Sequence, residues 1–256
     1  MIMSRVSDRL NRLSYSQTFV MSNKARDMKA AGIDVISLTL GEPDFDVPDN
    51  IKKAAFDAIN ENYSHYSPVP GFLELRKAIV NKLKRDNNLD YKPTQICVAN
   101  GAKQNIFNVL AALVNEGDEV ILPAPYWVSY DEMVKINGGV SVFIETNIDT
   151  EFKMTAEQLE AAITPKTKAV LYSSPCNPSG SYYTREELEK IANVMAKYPD
   201  VVIISDEIYE FINYDGEHVS IAEFPQVFNQ TAVINGMSKA FAMTGWRIGY
   251  SACPEW

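Results

Sequence analysis

The 256 residues include 46% hydrophobic and 22% charged side chains, ordinary values for a globular chain able to bury one sizeable core with or without a smaller second domain. Thirty-three acidic residues against 24 basic ones give a formal charge of −9, and no basic run stands out, which argues against nucleic acid or an anionic membrane as partner. Three dispersed cysteines without a CxxC pair and only two histidines supply neither a disulfide framework nor a metal cluster, so no metal and a reducing, cytoplasmic setting are expected.

The first residues carry Arg5, Asp8, Arg9 and Arg12 and no apolar stretch of signal-peptide length. The longest apolar run, 109–114, is far too short to cross a membrane. An amphipathic N-terminal stretch leads into the apolar residues 35–40 and the turn-rich Gly41-Glu42-Pro43-Asp44, and helical patterns follow near 49–61 and 72–84. From about residue 95 the character changes. Short β-branched runs at 95–98, 119–122, 140–144, 168–172, 201–205, 231–234 and 248–252 alternate with helical patterns. Their apolar positions are consecutive rather than alternating, as in strands covered on both faces. The helix at 184–198 carries Leu188, Ile191, Ala192, Met195 and Tyr198 on one stripe. Thr184 with Glu187, and Thr155 with Gln158, have the spacing of capping boxes. Strand and helix in alternation imply an α/β three-layer sandwich around a mostly parallel sheet.

Ligands of such sheets bind beyond the carboxyl ends of the strands, and several unusual residues fall there. Asp206 ends the run 201–205, where a carboxylate is costly unless a cation neutralises it, although an acidic residue at that place also serves as a helix N-cap. Ser174-Pro175-Cys176-Asn177-Pro178-Ser179-Gly180 follows another run and has the composition of a turn, with one asparagine held between two prolines. Asn100-Gly101-Ala102-Lys103-Gln104 joins a strand to a helix, and amides at a helix start suit a phosphate. Lys103 there is either a solvated side chain or part of that site. Trp127, in Pro125-Tyr126-Trp127, is either core or a platform for a flat heterocycle. Gly236-Met237-Ser238-Lys239, followed by Gly245-Trp246-Arg247-Ile248-Gly249, places one lysine in a glycine-bounded turn and an arginine eight residues on.

Taken together, and in this order, these motifs resemble those of the class I pyridoxal-phosphate-dependent aminotransferases, over nearly the whole chain. The resemblance is closest to the branch with bacterial aspartate aminotransferases, through Pro125-Tyr126-Trp127-Val128-Ser129-Tyr130 and Ala242-Met243-Thr244-Gly245-Trp246-Arg247. It implies pyridoxal phosphate as cofactor, held by Lys239 as a Schiff base, with the same lysine shuttling the substrate proton. It further implies Asp206 on the pyridine nitrogen, Asn177 and Tyr209 on the phenolic oxygen, and Trp127 near the ring face. Arg247, Gly101, Ala102, Lys103 and Ser238 would surround the phosphate; many relatives have a serine where this chain has Gly236. Asn177, Trp127 and the Gly41 backbone would meet the substrate, and Tyr66 would reach the phosphate of a second subunit in a homodimer.

The activity so implied moves an amino group between an amino acid, aspartate first, and a 2-oxo acid, 2-oxoglutarate first. Prephenate, alanine and aromatic amino acids are the alternatives, as is a non-catalytic cofactor-binding fragment. Residues 1–45 read as a segment serving the substrate site and a small domain, and 46–256 as the cofactor-binding domain. The family continues past Trp256 with a small domain and a substrate-clamping arginine, so the 256 residues alone are expected to be incomplete and inactive.

Overall fold

The computed structural model describes residues 5–255; residues 1–4 and 256, at the ends of the two expected segments, lie outside it. Its centre is one seven-stranded sheet in the order β1-β7-β6-β5-β4-β2-β3. The strands are β1 (Ile96–Asn100), β2 (Glu119–Ala124), β3 (Val140–Glu145), β4 (Thr167–Ser173), β5 (Val202–Asp206), β6 (Thr231–Gly236) and β7 (Ile248–Ala252). Strands β6, β5, β4, β2 and β3 run parallel, whereas β7 is antiparallel to both of its neighbours, β6 and β1.

The consecutive apolar runs are explained by cover on both faces. On β4, Val170 and Tyr172 join a core with Leu159 of α6 (Ala156–Ala162) and with Leu188, Ile191 and Met195 of α7 (Arg185–Met195). The alternate residues Ala169 and Leu171 join a second core with Ile106 and Leu110 of α4 (Ala102–Leu113) and with Tyr130, Met133 and Val134 of α5 (Ser129–Ile136). Successive side chains of a strand point to opposite faces, so a strand buried on both is apolar at consecutive positions. A third core packs Ile79 and Leu83 of α3 (Leu73–Asn87) against Ile96, Val233 and Tyr250. The expected three-layer sandwich is therefore formed. Both capping boxes form as well, with the side chains of Thr155 and Thr184 accepting from the amides of Gln158 and Glu187.

The N-terminal region differs in kind. Helices α1 (Gln17–Ala30) and α2 (Asp49–Asn60) bracket an irregular stretch, in which Ile36 and Leu38 are 89% and 92% exposed and add no strand to the sheet. A short helix, α8 (Pro225–Phe228), precedes β6.

Strand β7 lies tightly against the start of α4. A Cβ on Gly249 would fall 2.3 Å from the Ala102 nitrogen and 2.4 Å from the Gly101 carbonyl carbon. Backbone atoms cannot rotate away from such a clash, so Gly249→Ala is expected to destabilise the fold by about 2–3 kcal/mol. Gly245→Ala, where no atom lies within 4 Å, should leave the urea midpoint of unfolding unchanged.

Candidate functional site

Parallel strands end on the same edge of a sheet, and this brings together segments that are distant in sequence. Ser173, Asp206 and Ile234 are register partners on the adjacent strands β4, β5 and β6. Just beyond them come Asn177, Tyr209 and Lys239. Because β7 runs the other way, its beginning lies beside the end of β1, with Asn100 opposite Ile248. Arg247 and the 100–104 turn therefore meet at this same edge.

Asp206 is only 3% exposed. Its carboxylate accepts 2.6 Å from the Tyr130 hydroxyl and 3.3 Å from the Ile208 amide. Burial pushes its pKa up to about 6, against the pull of those two donors and with a small addition from the charge of Glu207. Among the described residues no Lys, Arg or His neutralises it. Tyr130 is wholly buried, its phenol held well above its usual range by burial and by Asp206. An unneutralised carboxylate in such a place matches a cationic ligand.

Tyr209 sits in the turn after Asp206. Burial and the Asp206 charge raise its pKa, and a hydrogen bond with the Asn177 side chain opposes them. The Asn177 loop is closed by Cys176, whose amide donates to Ser181 O at 2.8 Å and whose carbonyl accepts from the Gly180 amide at 2.8 Å. Lys239 places its amine 5.7 Å from the Tyr209 ring centre and donates to the Gly41 carbonyl at 2.5 Å. Burial lowers its pKa; Arg247 adds to this and Glu42 opposes it. A lysine eased toward its neutral form has the lone pair that a nucleophilic amine requires.

Arg247 has a left-handed backbone, φ +58°, and donates to the carbonyls of Thr244 at 2.8 Å and Asn100 at 3.2 Å. Gly101 leaves room for it: a Cβ there would lie 2.3 Å from an Arg247 guanidinium nitrogen. The guanidinium thus sits beside the first residues of α4, whose dipole is positive at that end. A cation and a helix N-terminus converging on one place call for an anion between them. Lys103 lies with its amine 4.8 Å from the Trp127 ring centre, and burial, aided by Arg247, lowers its pKa. Trp127 in turn meets Tyr130 edge-on at 5.5 Å. Ala102 opens the helix, and Ser238 is buried just before Lys239.

Hydrogen bonds, aromatic contacts and charge effects together link Asn177, Tyr209, Asp206, Tyr130, Trp127, Lys103, Arg247 and Lys239 in a ring, in which Tyr209 is tied to Asp206, and Arg247 to Lys103 and Lys239, by charge alone. The arrangement suits a flat, cationic heterocycle bearing a phosphate, within reach of a lysine amine. Gly41 touches the ring through its carbonyl. Tyr66 does not join it, for its side chain is fully exposed between α2 and α3. Tyr130 was visible in the sequence only as part of a motif. The available signal was its place with Met133 and Val134 on the buried face of α5, where a phenol must find a partner.

The raised pKa of Asp206 makes a statement about stability. A carboxyl whose folded pKa exceeds its unfolded value stabilises the fold below the unfolded pKa, near 4, and that contribution is lost as pH rises through about 6. In the ligand-free protein, the stability of wild type relative to Asp206→Asn should therefore fall by about 2 kcal/mol between pH 4 and 7. Urea unfolding of both proteins at the two pH values measures it.

The profile of the family described as aminotransferase class I and II matches residues 33–256. The aspartate aminotransferase of Bacillus sp. (strain YM-2) is 53% identical over 249 residues, which is 96% of this chain and 63% of that protein. A probable aspartate/prephenate aminotransferase of Rhizobium leguminosarum bv. phaseoli is 51% identical over 98% of this chain and 64% of its own length. The crystal structure of the aspartate aminotransferase from Rhizobium meliloti superposes with a TM-score of 0.95 at 44% identity, covering 98% of this chain and 63% of that one. The Thermus thermophilus aspartate aminotransferase with maleate also gives 0.95, at 43% identity, over 98% and 65%. The chain thus spans just under two thirds of the length of these relatives. It belongs to the class I and II aminotransferase family.

Proposed function

We propose that these residues form the pyridoxal-phosphate-binding part of an aminotransferase that moves an amino group from aspartate to 2-oxoglutarate. The observation that carries the proposal is the buried, unneutralised carboxylate of Asp206 at the same sheet edge as the half-buried amine of Lys239, with Tyr209 between them in sequence and under the lysine amine. Bound at this edge, pyridoxal phosphate supplies a ring that draws electrons from the substrate's α-carbon. Asp206 keeps a proton on the ring nitrogen, which in turn relieves its own burial. Asn177 and Tyr209 donate to the phenolic oxygen, and Trp127 covers a face of the ring. Arg247, Ser238, Lys103 and the first amides of α4, at Gly101 and Ala102, hold the phosphate. Lys239 anchors the cofactor and moves the proton at the substrate's α-carbon, while Asn177 and the Gly41 backbone orient the substrate.

Residues 46–256 act as the cofactor-binding domain and 1–45 as a segment on the substrate side. The working form is a cytoplasmic homodimer, in which the exposed Tyr66 reaches the phosphate held by a second subunit. Among the described residues no helix is long and apolar enough to cross a membrane. The choice of aspartate is supported by the names of the relatives. Two of those cited, at about half identity, are named as an aspartate aminotransferase and a probable aspartate/prephenate aminotransferase, and prephenate is the alternative the second one names.

Two experiments test the reading. Incubation with pyridoxal phosphate, borohydride reduction and peptide mapping should place the label on Lys239; a label on Lys103, or spread over surface lysines, overturns the assignment. Asp206→Ala should still be labelled at Lys239. Made in a protein extended to the length of the relatives, the same substitution should lower turnover with aspartate and 2-oxoglutarate by about a thousandfold or more, because electron withdrawal depends on the charge Asp206 stabilises. Near-normal turnover of that variant would remove Asp206 from the mechanism.

A further inference from the structure

The turn after β5 carries two further buried carboxylates, Glu207 and Glu210. Glu207 accepts from the Ser220 hydroxyl at 2.6 Å and the Ser205 hydroxyl at 3.0 Å, and its other oxygen lies 3.1 Å from His218 Nε2. Those partners come from β5 and from the loop that follows the turn. Glu210 is bound differently. One of its oxygens accepts from Asn87 Nδ2 at 2.8 Å, and the other accepts from Asn235 Nδ2 at 2.8 Å and from the Lys82 amine. Lys82 also donates to Asn87 Oδ1 at 2.8 Å, and Asn235 Oδ1 accepts from the Gly236 amide at 2.7 Å. Every oxygen and nitrogen of these four side chains thus finds a partner, where an unmet one would be costly.

The bonds run from α3, through the turn after β5, to the last residue of β6. Glu210 directly follows Tyr209, and Gly236 stands three residues before Lys239. A second contact ties the same two turns. Phe211 meets Phe241 with ring centres 6.3 Å apart, and the Lys82 amine lies 5.2 Å from the Phe211 ring centre. Gly236 is also closely packed, for a Cβ there would lie 2.7 Å from the Ile248 carbonyl oxygen and 3.3 Å from Ile208 Cδ1. Stability alone gives no reason for polar residues here. Apolar side chains of the same volume commonly match or better a buried ion pair, and α3 already packs Ile79 and Leu83 into the core. What the polar set adds is direction, because hydrogen bonds fix distance and angle.

We propose that Glu210 and Asn235 are positioning residues for the Lys239 amine: their hydrogen bond, anchored on α3 by Lys82 and Asn87, fixes the turn with Tyr209 against the turn with Lys239. The bridge so sets the 5.7 Å between the lysine amine and the Tyr209 ring centre. This inference rests on the reading of Lys239 as the residue that holds pyridoxal phosphate.

The test combines labelling with amide hydrogen exchange on the 256-residue chain. The pyridoxal phosphate concentration that half-saturates the borohydride-trapped label at Lys239 should rise about tenfold in Asn235→Ala and in Glu210→Gln, the scale on which supporting residues act at metal sites. The two substitutions combined should be no worse than the stronger single one, since both remove the same bond. Gln230→Ala is the control for lost stability. It removes buried bonds to the Met195 and Val201 carbonyls at the opposite end of β6, so it should lower the urea midpoint and leave the half-saturation unchanged. Unchanged half-saturation in the single variants, additive effects in the combined one, or an equal rise in Gln230→Ala overturns the proposal. In the unaltered, cofactor-free chain, the amides of Gly236, Glu210 and Ile212, all bonded within the two turns, should open as one unit and show one protection factor. Exchange of Gly236 apart from the other two overturns the proposal even where the variants do not fold. Labelling of the unaltered chain separates the two readings. No label at Lys239 sinks the cofactor assignment and this inference with it, whereas normal labelling that the variants leave unmoved sinks only the bridge.

Discussion

A carboxylate almost removed from water at the end of a central strand sets the terms for the structure around it. Asp206 has neighbours on both sides in the sheet, and helices cover both faces of β5. Its donors are a phenol and one amide. The ligand-free fold therefore holds an anion it solvates incompletely, which explains why its pKa is high rather than low. A cation arriving at this edge reverses the balance. A residue whose buried charge costs stability is the one that would gain most from a bound cation, a trade between stability and function common at binding sites.

The remaining features of the edge follow from strand direction. Parallel strands deliver Asn177, Asp206 and Lys239 from three separate stretches of sequence to one line. The antiparallel β7 adds what a wholly parallel sheet would have placed at the opposite edge. By entering from this side it starts with Arg247 against the turn that opens α4. The close approach needs glycine twice, at Gly101 beneath the guanidinium and at Gly249 against the helix start. Cation and helix dipole are thereby held together with no acidic side chain forming an ion pair to Arg247 among the described residues, the electrostatic counterpart of the Asp206 problem with the sign reversed.

The N-terminal segment contributes in another way. It adds no strand, and Ile36 and Leu38 stand exposed, yet the Gly41 carbonyl holds the Lys239 amine and Glu42 accepts from Thr244. A backbone carbonyl places a constraint on the lysine that no side chain of the sheet edge supplies, and it does so from 198 positions away in the chain.

What the sequence determined by itself was whatever depends on neighbours along the chain. The seven apolar runs became strands, because double burial demands consecutive apolar residues. The capping boxes formed because donor and acceptor lie three positions apart. Asp206, Lys239 and Arg247 stood out because each is expensive or unusual where it sits in its own segment. Tertiary structure decided what depends on distance in sequence. Tyr130 reaches Asp206 across 76 positions, Arg247 reaches Asn100 across 147, and β7 inserts antiparallel between the first strand and the sixth. Glu207 and His218 are near in sequence, but nothing in an acidic residue and a histidine eleven positions apart says that both are buried and paired. Local patterns encode which residues must leave water; only the closed sheet decides which partners they find there.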